Sequence, residues 1–256
     1  MATSVEKAMA ILTAISKSIF NGMPLNEISE KTGINKSTCV HILNALKKNG
    51  YVEKISHSKG YRLGPGIYYL TRYGRFQEEL IQLCSPIMNW LYRETGQTVL
   101  LAVIYENKKY IVHYIEGERV LEETRTNLYE GNIYASGTGR VMLSFFSRYM
   151  LKLFVDENGL PEQRIWPQVK SFEDLWRELK IIRRQPVLYY SMSDAGLIDS
   201  GLAAPLLEGN GKCVGAVAIS LPKITSQRTQ EEIDALRVLL KRAVNGINKR
   251  IADKMG

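Results

Sequence analysis

The sequence predicts a multi-domain α+β protein: a small helical module carrying a two-stranded wing, then a larger domain with a mainly antiparallel sheet flanked by helices. Three observations predict it. Residues 25–64 read as a short helix, a glycine turn, a second helix and a short hairpin. After Gly96 the apolar pattern changes to strand-like runs interspersed with short helices. Residues 208–212, Glu-Gly-Asn-Gly-Lys, form a strong hairpin turn between two apolar runs. With 256 residues, 45% of them hydrophobic, the chain is long enough for two cores. The expected boundaries are 1–66 for the small module, 67–84 for a connecting helix and 85–256 for the larger domain.

In the small module, Thr3 followed by Glu6 is a capping-box pattern. Val5, Ala8, Met9, Leu12 and Ile15 then give the first helix its apolar face. Pro24 suits the first turn of a second helix, where a missing N–H costs nothing. Leu25 and Ile28 face one way there, with Glu27, Glu30 and Lys31 opposite. Gly33 permits the left-handed turn that ends this helix. Asn35 caps the third, whose stripe Cys39, Ile42, Leu43 and Leu46 has helical spacing. Its other face carries Lys36, Ser37, Thr38, Val40, His41, Asn44 and Lys48. Asn49-Gly50 stops it, and 51–54 and 61–63 read as the strands of a wing bearing Lys59 and Arg62.

A helix pair with a glycine turn occurs in many helical proteins, and a lysine face often serves only solubility. The wing and the short polar groups turn the reading toward base edges and phosphates in a DNA major groove. Charge placement agrees. Residues 1–66 hold nine cations against four anions, whereas the whole chain has a net charge of +8. A basic small domain beside a nearly balanced large one implies nucleic acid on one side only.

Downstream, 67–83 reads as the connecting helix, with Tyr68, Tyr69, Tyr73 and Phe76 supplying more aromatic surface than a spacer needs. Ser85-Pro86 resembles an N-cap and first helical residue, so a new helix is expected over 86–95. Segments 98–105 and 110–116 are strand-like. An extended stretch, 131–136, leads into a helix at 139–146. Helices follow at 150–155 and 172–184, strands at 187–190, 201–207 and 214–221, and a closing helix at 229–254.

Other function classes find little support. Three widely spaced cysteines, Cys39, Cys84 and Cys213, suggest neither disulfides nor a zinc site, and point to a reducing cytoplasm. No signal-peptide pattern and no apolar run of about 20 residues is present, so no membrane partner is expected. No nucleophile elbow, P-loop or metal-spaced His/Cys cluster appears, which argues against an enzyme, a metal or a cofactor.

Several segments together resemble the IclR family of bacterial transcriptional regulators. They are Ser4-Val5-Glu6-Lys7-Ala8, Lys36-Ser37-Thr38, 46–53, Tyr61-Arg62-Leu63-Gly64, Ala135-Ser136-Gly137-Thr138-Gly139-Arg140, Leu202-Ala203-Ala204-Pro205 and 215–220. The resemblance covers nearly the whole chain. It implies a winged helix-turn-helix followed by a GAF-like effector domain, binding of double-stranded operator DNA as a homodimer or homotetramer, and response to a small metabolite. Two departures stand out. His41 replaces the family's usual arginine. Gly201 and Ala218 replace a frequent cysteine and serine near the pocket.

The effector site is expected where Ser136, Gly137, Thr138 and Gly139 open a helix. Small residues admit a ligand to the backbone, the hydroxyls donate, and the helix dipole favours an anion. Ser136 as a plain cap, with the glycines there for packing, is the alternative. Asp194, Asp199, Ser200 and Ser220 are the polar groups expected to converge from the strands, although the two aspartates read equally well as loop carboxylates. The whole is read as a cytoplasmic regulator whose operator binding answers to an organic or sugar acid. A GAF-like ligand-binding enzyme and a protein-binding adaptor are the alternatives. Turnover screening would reveal the first, and salt-insensitivity toward duplex DNA the second.

Overall fold

The computed structural model describes residues 3–18, 22–55, 60–72, 76–117, 132–194, 197–224 and 228–255; for 192–194, 197–199, 222–224 and 255 it describes the backbone alone. The chain divides into two compact units, Met1–Phe76 and Gln77–Gly256.

The first unit is three helices and a wing. Helix α1 (Ser4–Ser16) starts with the expected reciprocal cap between Thr3 and Glu6. Helices α2 (Leu25–Thr32) and α3 (Lys36–Lys48) are joined through Gly33, which sits at φ +65°. Pro24 lies just before α2 rather than in its first turn. Ile11, Ile15, Ile28, Cys39 and Leu43 close the core between the helices. Strands β1 (Val52–Lys54) and β2 (Tyr61–Leu63) pair antiparallel. Met23 exchanges two backbone hydrogen bonds with Tyr61, which ties the wing to the segment before α2. Gly64 is required by close approach: a β-carbon there would lie 2.3 Å from the Gly50 carbonyl oxygen. Helix α4 (Pro65–Thr71) follows.

The second unit opens with α5 (Glu78–Thr95), a single helix that runs through Ser85 and Pro86. The expected helix start at Ser85-Pro86, and the connecting helix across 67–84, are therefore corrected. A proline inside a helix costs about 3 kcal/mol. Here Leu80, Leu83, Cys84, Met88 and Leu91 make one buried stripe that continues in register past Pro86. Their burial, at about 1.5–3 kcal/mol for a full side chain, outweighs the proline. Ser85 does not cap; its hydroxyl donates back to the Ile81 carbonyl at 2.7 Å.

Five strands form an antiparallel sheet in the order β4-β3-β7-β6-β5. They are β3 (Thr98–Tyr105), β4 (Lys108–Ile115), β5 (Leu188–Asp194), β6 (Leu197–Leu207) and β7 (Cys213–Ile224). Alternation along the strands gives two faces. Val99, Leu101, Leu202, Leu206, Val217 and Ile219 pack against α5 and the closing helix α9 (Gln230–Met255). Ala102, Ala203, Ala216 and Ala218 face α6 (Gly137–Leu143), α7 (Arg148–Asn158) and α8 (Phe172–Arg183). The stretch before α6 is a turn of 3-10 helix (Ile133–Ala135) rather than extended chain.

Candidate functional site

In the first unit, α3 is held from one side and open on the other. Asn35 Oδ1 accepts from the Thr38 N–H at 2.9 Å and from the Ser37 hydroxyl at 2.8 Å, fixing the helix start. Cys39, Ile42 and Leu43 face inward. Lys36, Ser37, Val40, His41 and Asn44 are exposed, and Thr38 is half-buried. The exposed set therefore lies on one helix face, with Lys47 and Lys48 at its C-terminal end. Val40 is an exposed apolar group, at 37%, on the same face as these polar ones. Asn44 makes no hydrogen bond among the described residues, so its amide keeps both functions for a base edge.

The wing behaves differently from expectation. Arg62 and Glu53 are cross-strand partners, and the guanidinium is ion-paired with the Glu53 carboxylate. Arg62 therefore reaches a phosphate only by leaving, or sharing, that carboxylate. The pair is about half exposed, a class worth 0–1 kcal/mol, so exchange is easy. Glu53→Gln should tighten binding to all duplexes alike and steepen the salt dependence, read from binding curves across a salt series. Identical salt slopes for wild type and variant would show that Arg62 makes no phosphate contact. Lys59 lies outside the described residues.

In the second unit, α6 starts as the sequence suggested. Ser136 Oγ accepts from the Gly139 N–H at 3.1 Å. Gly139 has a packing role: a β-carbon there would sit 2.0 Å from the Ile133 carbonyl oxygen. Thr138 is buried at 3% exposure. Gly137 is different. A β-carbon at Gly137 would lie 2.3 Å from Tyr190 Cδ1, and one at Gly201 would lie 2.8 Å from Tyr190 Cε1. The Tyr190 ring therefore occupies the space left by two glycines, one on α6 and one on β6. Tyr190 and Gly201 are register partners, as are Gly201 and Ser220. Ser220 is half-buried on this same face, beside the small residues Ala203 and Ala218.

Arg140 anchors the start of α6. Its Nε donates to the Tyr134 carbonyl at 2.7 Å, its Nη2 donates to the Ile165 carbonyl at 3.0 Å, and its guanidinium stacks over Trp166 at 4.1 Å. Burial lowers its pKa, with Tyr190 and Glu178 pulling it back up.

Of the strand residues expected to converge, Ser220 lies on this face by its pairing with Gly201. Ser200 pairs with Leu221 and lies two residues from Leu202, so it belongs to the opposite face of the sheet. It is fully buried, and its Oγ has no hydrogen-bond partner. Asp194 pairs with Leu197 and Asp199 with Met192 along the backbone; their side chains lie outside the described residues. Tyr190 was not singled out from the sequence. The available signal was a glycine at 201 inside an apolar strand, which marks a place where something approaches closely.

The thiols are poorly suited to chemistry. Burial pushes Cys84 up to about 12 and Cys213 up to about 11, so both stay protonated at neutral pH. Among the described residues no helix is long and apolar enough to cross a membrane.

Comparison with known proteins decides the relationship. The IclR helix-turn-helix domain family matches residues 4–56, and the bacterial transcriptional regulator IclR C-terminal family matches residues 76–249. The chain belongs to the IclR family. It is 25% identical over 240 residues to the HTH-type transcriptional regulator KdgR of Escherichia coli, covering 91% of this chain and 88% of that protein. It is 29% identical over 140 residues to the HTH-type transcriptional regulator TtgV of Pseudomonas putida, a match spanning 55% of this chain and 53% of TtgV. Among solved structures, an IclR homolog from Microbacterium hydrocarbonoxydans complexed with 4-hydroxybenzoate superposes with a TM-score of 0.74. That likeness has 18% identity and covers 97% of this chain and 99% of the other. This IclR-family chain is thus a DNA-binding transcriptional regulator, with a winged helix-turn-helix followed by the family's C-terminal domain.

Proposed function

We propose that this IclR-family regulator acts in the cytoplasm as a homodimer on a pseudo-palindromic operator, and releases or grips it in response to a small organic or sugar acid. The observation that carries the effector reading is the Tyr190 ring laid over Gly137 and Gly201 beside Ser220. An aromatic platform with small neighbours and hydroxyls at hand suits a compact acid with a flat or hydroxylated body. The names of two similar proteins support an organic acid: the homolog complexed with 4-hydroxybenzoate, and a p-hydroxybenzoate hydroxylase transcriptional activator from Acinetobacter baylyi.

A single winged module buries little surface on DNA, so two copies are needed for a tight, specific complex. Val5 and Met9 on α1, and Tyr68, Tyr69 and Leu70 on α4, are exposed apolar groups that support assembly through the first unit. Phe76 is also exposed; Tyr73, expected beside it, lies outside the described residues. Sedimentation should show at least a dimer at micromolar concentration. Monomer alone, with and without operator, would sink the dimer reading.

The effector is tested by a thermal-shift screen of organic and sugar acids on the full chain. A ligand present at a hundred times its Kd stabilises the native state by about 2.7 kcal/mol. An acid that raises the midpoint and also changes operator binding supports the reading. A panel in which only neutral compounds do so overturns it.

A further inference from the structure

We propose that the cavity between the β3–β4 hairpin and residues 132–134 and 158–162 is a second ligand site, taking a small monocarboxylate whose charge pairs with Lys109. The cavity holds about 610 Å³ and is lined by Lys109, Asn132, Ile133, Tyr134, Asn158 and Leu160, among others. That volume falls within the range of about 300–1,000 Å³ usual for small-molecule sites.

Lys109 is the reason for naming an anion. It pairs with Ile104, which packs on the same sheet face as Ala102, so the register turns it toward the α6 side. It is half-buried, and no carboxylate or other acceptor bonds its ammonium among the described residues. Among the described residues the neighbouring carboxylates bond to other groups: Glu162, which itself lines the cavity, to Arg164 at 2.6 Å, and Glu157 to Asn107. Burial pulls Lys109 down to about 8, the mark of a cation taken from water with no counter-charge among the described residues.

The other walls set the rest of the ligand. Asn132 spends its side-chain carbonyl on the Tyr134 N–H at 3.0 Å, and its amide hydrogens bond to no other described residue. Asn158 donates to the Phe154 carbonyl at 3.0 Å, and its side-chain oxygen remains to accept. The Tyr134 hydroxyl donates to the Gly159 carbonyl at 2.7 Å, which fixes the ring as a wall. Ile133 and Leu160 supply apolar surface. Lys108 and the carboxylate Glu162 also line the cavity; Lys109, the lysine turned to the α6 side, with Ile133 and Leu160 as the apolar surface, suits a monocarboxylate carrying an apolar body. A phosphate would want several converging donors.

This site is separate from the glycine-lined face. Thr98, opposite Ser220, and Ile104, opposite Lys109, lie at the two ends of β3, about 20 Å apart along the strand at roughly 3.4 Å per residue.

The test is a calorimetric titration of the full chain with cyclohexanecarboxylate and with its neutral amide. Wild type should bind the carboxylate, and the amide at least about tenfold more weakly. Lys109→Met should lose this preference, and Gly137→Val should keep it. The methionine variant should melt no lower than wild type, because it removes a half-buried charge that no described carboxylate pairs; Lys109→Gln is a second neutral variant should methionine fold poorly. The proposal is overturned if wild type fails to bind the carboxylate at millimolar concentration. It is equally overturned if the neutral variants bind it as well as wild type, or if Gly137→Val alone abolishes binding. The last outcome would return the ligand to the glycine-lined face and leave the main effector reading standing.

Discussion

Gly137→Val should abolish the response to the effector while leaving operator binding at its wild-type level. The new β-carbon would lie 2.3 Å and 2.6 Å from two carbons of the Tyr190 ring, so the ring must swing away. The cap that starts α6, from Ser136 to Gly139, is untouched. Overpacking of this kind costs about 1–3 kcal/mol, which the domain should survive. Metabolite coupling is commonly worth about 1–3 kcal/mol, so loss of the platform removes a shift of roughly five- to 150-fold in operator affinity. The double variant Gly137→Val with Tyr190→Ala separates strain from function. It should recover the melting midpoint and still fail to respond. Operator release by Gly137→Val at the wild-type effector concentration would place the effector elsewhere.

Asn44→Ala should weaken the correct operator by about 1–3 kcal/mol and flatten preference at one base position, the signature of a lost bidentate adenine contact. Asn44 stands exposed in the middle of α3 with its amide unused. Ser37 is a poorer reader, because its hydroxyl is already given to Asn35. Binding-site selection on wild type and variant reads both effects. An unchanged base preference would move recognition to His41 and Val40. The family resemblance puts an arginine in place of His41, so this chain has one fewer permanent cation on the reading face.

What was legible in the sequence was local. Thr3 with Glu6, Asn35 ahead of Thr38, and Gly33 each act within four residues, and the structure realises each one. The hairpin at 208–212 did likewise, because its turn residues dictate it. Pro86 was misread for the opposite reason. A local rule favoured a helix start, but a stripe that packs on a distant sheet overruled it. The candidate site divides along the same line. The start of α6 was visible from Ser136 to Gly139. The partner of Gly137 was not, since Tyr190 lies 53 positions downstream and meets it only when β5 joins the sheet. Ser200 lies on the other side because it alternates with Gly201 and shares the face of Leu202, a phase that becomes readable only once the sheet shows which face Leu202 buries.

The carboxylate held by Arg62 has a bearing on how such a protein finds its address. A genome offers a regulator about a million or more wrong sites for each right one, and nearly all of its hold on the wrong ones is phosphate attraction. A wing that carries its own counter-ion is less adhesive toward arbitrary DNA. The base-reading face of α3 loses nothing by this, since Glu53 is on the wing and not on the helix. If Glu53→Gln tightens binding to all duplexes alike, Glu53 trades total grip for discrimination, shortening the pauses at random sequence while search continues.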